Sequence, residues 1–193
     1  MNPWQSAEQK MISRRAFGLM SVATAGLVAC GNGVGGSRAA QIDARCDATR
    51  DFLFDRYPGT QELSDKAYGV LYMPLVTEAG FGIGGSFGRG ALRINDVTVD
   101  YYSVARASFG LQIGAQQYAH VLFFMTEQAL AEFRASVGWA AGAEVRYALN
   151  DNAGSAGIDT TTQLAPVIAF VFGQQGLIAG ATLSGQKYTR IIP

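Results

Sequence analysis

The stretch Ala79-Gly80-Phe81-Gly82-Ile83-Gly84-Gly85-Ser86-Phe87-Gly88-Arg89-Gly90-Ala91-Leu92-Arg93-Ile94 decides the fold. Phe81, Ile83 and Gly85 alternate with Gly82, Gly84 and Ser86. A period of two places large side chains on one face of a β-strand and small ones on the other. Ser108-Phe109-Gly110-Leu111-Gln112-Ile113-Gly114-Ala115 repeats the same alternation, and Val121-Leu122-Phe123-Phe124-Met125 follows as an apolar run. Glycine inside a strand marks a bend, a bulge or a close backbone approach. So many together imply a strongly curved sheet. The expected class is α+β: a curved, mostly antiparallel, glycine-rich sheet, half-barrel-like, with an N-terminal helical segment and one helix after the central strands.

Working outward, Ile42, Cys46, Thr49 and Leu53 form one apolar stripe of a helix over 38–56. Asp43, Asp47, Asp51 and Asp55 recur every four residues on another face, which reads as solvated and interleaved with Arg45, Arg50 and Arg56. Tyr57-Pro58-Gly59 breaks that helix, and Thr60 is placed to cap a short second one through about Lys66. A strand over 68–73 is bounded by Pro74, and 75–78 joins it to the glycine stretch. Turns are expected at 85–90, at Asn95-Asp96 and at Gln116-Gln117. Thr126 caps a helix over 127–136 with Leu130 and Phe133 inward, ended by Gly138. A strand over 139–149, a loop over 150–162, and strands over 167–172, 176–183 and 187–191 complete the chain, the last three joined by turns at 173–175 and 184–186.

The first 29 residues read as a targeting segment. A basic region with Arg14 and Arg15 precedes an uncharged apolar run of about 14 residues, short of the roughly 20 that a membrane span needs. The arginine pair resembles a twin-arginine export signal, although Gly18-Leu19 departs from it and leaves general secretion open. Leu27-Val28-Ala29-Cys30 resembles a bacterial lipobox, so Cys30 is the expected lipidation site. Residues 30–37 are then the anchor and a Gly-rich tether, and 38–193 the folded domain. The expected location is the cell envelope, facing the periplasm. Gly31, where an inner-membrane retention signal has aspartate, favours the outer membrane. With Cys30 acylated, Cys46 is a free core thiol.

The whole chain is neutral, and loss of Lys10, Arg14, Arg15 and Glu8 leaves two more acids than bases. That balance gives no footprint for nucleic acid. Gly80-x-Gly82-x-x-Gly85 matches a dinucleotide pattern, but Ser86 to Gly90 cannot open the helix that pattern requires, so no cofactor is expected. His120, the single histidine, sits beside Val121-Leu122 with no Gly-x-Ser-x-Gly elbow in the chain, and reads as structural. With one histidine and one free thiol, a His/Cys metal cluster is excluded by count. Arg89, Arg93, Arg106, Lys187 and Arg190 all fall on or beside predicted strands. If they share a rim they can meet anionic lipid headgroups. Scattered solubilising charge is the other reading of the five.

Ala67-Tyr68-Gly69-Val70-Leu71-Tyr72-Met73-Pro74, the glycine stretches at 79–85 and 108–115, Phe123-Phe124-Met125-Thr126 and Phe170-Val171-Phe172-Gly173-Gln174-Gln175-Gly176-Leu177 together resemble the SYLF (Ysc84) domain family over roughly 42–191. The resemblance implies a lipid-binding domain. Eukaryotic members associate with phosphoinositide membranes and, in fungi, with actin, and bacterial members are often secreted proteins or lipoproteins. No catalytic residue comes with the family. The acidic N-terminal helix departs from the basic amphipathic helix expected at a membrane. The resulting expectation is a non-enzymatic, lipid-anchored envelope protein whose domain binds membrane lipid. A scaffolding module that holds a protein partner by exposed strand edges is the competing one.

Overall fold

The computed structural model describes residues 36–142, 145–147, 149–150, 156–157, 165–173, 176–177 and 183–193. The side chains of 81–82, 108–114, 149–150, 156–157 and 176–177 are outside that description, as are the export signal, the lipobox and most of the tether. Helix α1 (Ser37–Arg56) buries Ala39, Ile42, Cys46, Thr49 and Leu53, the stripe read from the sequence. Helix α2 (Gly59–Lys66) follows one short break. Thr60 does not cap it: the buried Thr60 Oγ1 donates to the Tyr57 carbonyl at 2.7 Å and so closes the junction between the two helices.

The glycine stretch belongs to one long hairpin. β1 (Gly69–Ile94) and β2 (Val97–Phe124) pair antiparallel along their whole length. Asn95 and Asp96 join them with φ of 50° and 63°, the pair of left-handed residues that a tight two-residue hairpin turn demands. The turns expected at 85–90 and at Gln116-Gln117 do not occur, and Pro74 does not end a strand. Straight, β1 would extend about 85 Å. Instead the ladder shifts register between Met73 and Val76, Phe81 and Gly82, and Leu92 and Arg93, and the strand folds back beside itself. Gly88 has no side chain because a Cβ there would lie 2.7 Å from the Leu75 carbonyl oxygen. Gly90 meets the Tyr72 carbonyl more closely still. Those positions use glycine for close approach, not for reversal.

Helix α3 (Glu127–Ala135) starts at Thr126, whose Oγ1 accepts the Ala129 N–H at 3.2 Å, and ends at Ser136, ahead of Gly138. The segment expected as one strand over 139–149 divides. β3 (Trp139–Ala140) pairs with β9 (Lys187–Ile191), while β4 (Val145–Tyr147) runs parallel to β7 (Val167–Gly173). β8 (Gly176–Leu177) continues from β7 as a hairpin, and the rest of the strand expected over 178–182 lies outside the described residues. Seven strands form a curved mixed sheet in the order β3-β9-β2-β7-β4, with β1 on β2 and β8 on β7. Within the expected loop over 150–162, β6 (Ala156–Gly157) pairs with β5 (Leu149–Asn150) as a separate ribbon. The fold is α+β with a strongly curved, half-barrel-like sheet, as expected.

The sheet is buried on both faces where β1, β2 and β7 lie together, which is why 121–125 and 167–172 are unbroken apolar runs. One face packs Val70, Tyr72, Phe123 and Phe170 against α1. The other packs Leu71, Leu122, Phe124 and Tyr188 around Phe133 of α3. Phe133 lies 4.8 Å from Phe124 and 5.4 Å from Trp139, centroid to centroid, so α3 is held by an aromatic cluster.

Candidate functional site: a cleft between the first helix and the sheet

The acidic comb of α1 is not uniformly solvated. Asp43 accepts the Tyr101 hydroxyl at 2.7 Å and the Thr98 hydroxyl at 2.9 Å. Asp47 takes an Arg93 guanidinium N–H at 2.7 Å, and Arg93 also donates to the Asp43 carbonyl. Arg93 is 6% exposed and lies 5.7 Å over the Tyr72 ring. Only Asp51 and Asp55 keep to the outer, exposed face, where Asp51 pairs with Arg50. These bonds clamp α1 across the turn end of the hairpin. They also commit Arg93, one of the five candidate headgroup cations, to the interior.

The other four are not gathered on one rim. Arg190 reaches Asp100 at 3.6 Å beside Arg134 of α3. Arg106 is half-buried opposite Ser86. Lys187 is exposed and packs its stem near Gly138. Arg89 is exposed on the α1 side of the hairpin, its guanidinium 5.6 Å from the Phe87 ring centre.

Arg89 has companions that sequence reading missed. It lines a cleft of about 320 Å³ with Arg38 and Arg45 of α1, over a floor of Ile42, Leu75 and Phe87. Among the described residues none of the three arginines makes an ion pair, and no acid lines the cleft. Arg38 and Arg45 are seven residues apart on a helix, two turns, so they fall on one face. That spacing was the available signal. A second cleft of about 280 Å³ adjoins it, lined by Ala48, Phe52, Pro74, Leu75, Tyr118 and Phe172. Phe52 and Phe172 stack there at 5.5 Å. Phe87 and Phe52 are both partly exposed.

His120 is built into the opposite face. It is fully buried, with Nε2 2.8 Å from the Tyr188 hydroxyl, which in turn donates to Gln186 Oε1. One hydroxyl hydrogen cannot serve both neighbours, so His120 donates from Nε2 and its Nδ1 is a bare acceptor. Desolvation lowers its pKa to about 3, so the ring is neutral throughout the physiological range. Gln186 bonds Tyr118 to close the chain of polar groups. Cys46 is buried with its thiol toward the Tyr72 carbonyl at 3.7 Å, and burial raises its pKa to about 12. Among the described residues no group of three His, Cys, Asp or Glu side chains could hold a metal, and no helix is long and apolar enough to cross a membrane.

Residues 105–190 match the Ysc84 family model, described as Las17-binding protein actin regulator. No curated protein matched the chain. The matched stretch is rather less than half the chain and narrower than the resemblance read from the sequence. It runs from mid-β2 to β9 and includes Arg106, Lys187 and Arg190. It leaves out α1, α2 and β1, hence the three-arginine cleft.

Proposed function

We propose that the protein is a lipid-anchored component of a bacterial cell envelope, facing the periplasm, whose domain binds anionic membrane lipid without catalysing a reaction. Export by the arginine-pair signal at Arg14 and Arg15 and acylation at Cys30 supply the anchor. The observation that carries the domain's role is the cleft of Arg38, Arg45 and Arg89 over an apolar floor, three cations without acidic partners among the described residues. The tether supports it. Seven Cα-to-Cα steps lead from Cys30 to Ser37 at the start of α1, a reach of at most roughly 25 Å. A membrane holding Cys30 is therefore within range of the cleft. Family likeness over 105–190 supports a binding domain, and an envelope address removes the actin role in its description.

The test is co-sedimentation of residues 31–193, which contain every buried core residue described, with phosphatidylglycerol vesicles and with phosphatidylcholine vesicles. Binding to the anionic vesicles alone is expected, weakened by salt because attraction is screened over roughly 8–10 Å. Each cation near an anionic surface contributes about 1 kcal/mol. Replacing Arg38, Arg45 and Arg89 by glutamine should release the domain, whereas replacing Arg106, Lys187 and Arg190 should not. A domain that stays in the supernatant at low salt sinks direct lipid binding. The competing reading, a scaffold for a protein partner, draws on β1, which pairs with β2 alone among the described residues. A protein that co-purifies through that edge favours it.

A further inference from the structure

Arg38, Ile42, Arg45, Thr49 and Phe52 line the two clefts from α1 at spacings of four and three, which is one flank of a helix. Pro74 and Leu75 line both clefts. The clefts therefore form one trough, placed end to end and not side by side. Its cationic end is Arg38, Arg45 and Arg89, and its apolar end is Phe52 stacked on Phe172. From Arg38 to Phe52 the helix rises about 21 Å, more than the roughly 15 Å that the acyl chains of one leaflet span. No acidic side chain lines it among the described residues. Resting on the lipid-binding reading, we propose that this trough holds a long-chain fatty acid. The carboxylate lies among Arg38, Arg45 and Arg89, and the tail runs past Pro74 and Leu75 to Phe52 and Phe172.

The chemistry suits a carboxylate carried on a long apolar tail. Arginine forks pair carboxylates in two parallel hydrogen bonds, and Arg89 is steadied for this by the Phe87 ring.

The test uses the full chain carrying Cys30→Ser, so that no acyl group is attached through that thiol. Octanoate, palmitate and cetyl alcohol compete for a fluorescent fatty acid, and vesicle sedimentation is run in parallel. Palmitate should bind far better than octanoate, by up to about fourfold for each methylene buried. Ala48→Trp fills the apolar end, and should erase that advantage, bringing palmitate down to the level of octanoate. Joint replacement of Arg38, Arg45 and Arg89 by glutamine should weaken palmitate at least about tenfold and bring it level with cetyl alcohol. If Ala48→Trp does not fold, Phe52→Asp at a partly exposed position makes the same comparison. A chain that sediments with anionic vesicles but shows no palmitate advantage overturns the trough and leaves membrane-surface binding standing. A palmitate advantage without sedimentation upholds the trough and removes membrane-surface binding. Neither result removes both.

Discussion

At the scale of single residues, His120 and Cys46 show what burial does to titration. The unfolded chain binds a proton at His120 near pH 6.5, and the folded chain refuses it until about pH 3. More protons on the unfolded state mean that stability rises with pH in that window. His120 therefore contributes its full stability above about pH 6.5 and loses it as pH falls toward 3, at up to about 1.4 kcal/mol per pH unit. His120→Gln keeps a donor for Tyr188 and does not titrate. Urea midpoints between pH 7 and pH 4 should fall less steeply for that variant than for the wild type, whatever its stability at pH 7. Parallel slopes would show that the ring titrates alike in the folded and unfolded chain. Cys46 gives a second expectation. A buried thiol with its pKa raised to about 12 has almost no thiolate at neutral pH, so iodoacetamide should label it only as urea unfolds the chain. Labelling before the unfolding transition would mean that α1 opens locally.

At the scale of elements, the hairpin depends on β1 lying beside itself. Gly90→Val places a branched side chain against the Tyr72 carbonyl and the Met73 sulfur, so the strand must shift. A loss of about 1–3 kcal/mol in denaturant unfolding is expected, as for other overpacked sites. Gly85→Ala, whose Cβ would stand 3.0 Å from the Arg106 carbonyl, should cost less. Equal losses would show that side-chain propensity and not close approach sets the cost. Gly82 and Gly110 carry the same sequence signal, but their surroundings lie outside the described residues. The α1 clamp is tested by a double-mutant cycle on Asp47→Asn and Arg93→Gln. Coupling of about 1–3 kcal/mol is expected. Asp47 is half exposed, which holds the value below that of a fully buried pair. These two elements mark where sequence reading works. Ile42, Cys46, Thr49 and Leu53 are legible as a helix stripe because the signal is local and periodic. Asn95-Asp96 is legible because few residues accept positive φ. Gly85 to Gly90 reads wrongly as a turn because glycine serves reversal and close approach alike, and Leu75 against Gly88 is a contact that local pattern does not encode. Asp43 and Asp47 look solvated for the same reason, since Tyr101, Thr98 and Arg93 reach them only through the fold. Arg38 and Arg45 went unread as site residues because Arg89 meets them across the helix–sheet cleft.

At the scale of the whole molecule, the proposed anchor and the proposed lipid-binding cleft are membrane contacts of unequal expected strength. The proposed acyl groups on Cys30 hold by burial of methylenes, about 0.8 kcal/mol each, and several chains together do not dissociate readily. Three arginines add about 1 kcal/mol apiece, and salt screens that part. The two contributions therefore separate in a washing experiment. Membranes from cells making the wild-type chain should keep the protein through a high-salt wash, and a palmitate analogue should label it. In the Cys30→Ser chain the label should vanish. Whatever of that chain is exported and cleaved by another route should associate weakly and leave in salt. Adding the three Arg→Gln changes to Cys30→Ser should remove the association even at low salt, while the same changes with Cys30 intact should leave membrane retention untouched. This last comparison is the decisive one. If the triple variant with Cys30 intact also leaves the membrane in salt, the arginines and not the thiol carry the attachment. Persistent labelling of Cys30→Ser would likewise exclude that thiol as the acylation site.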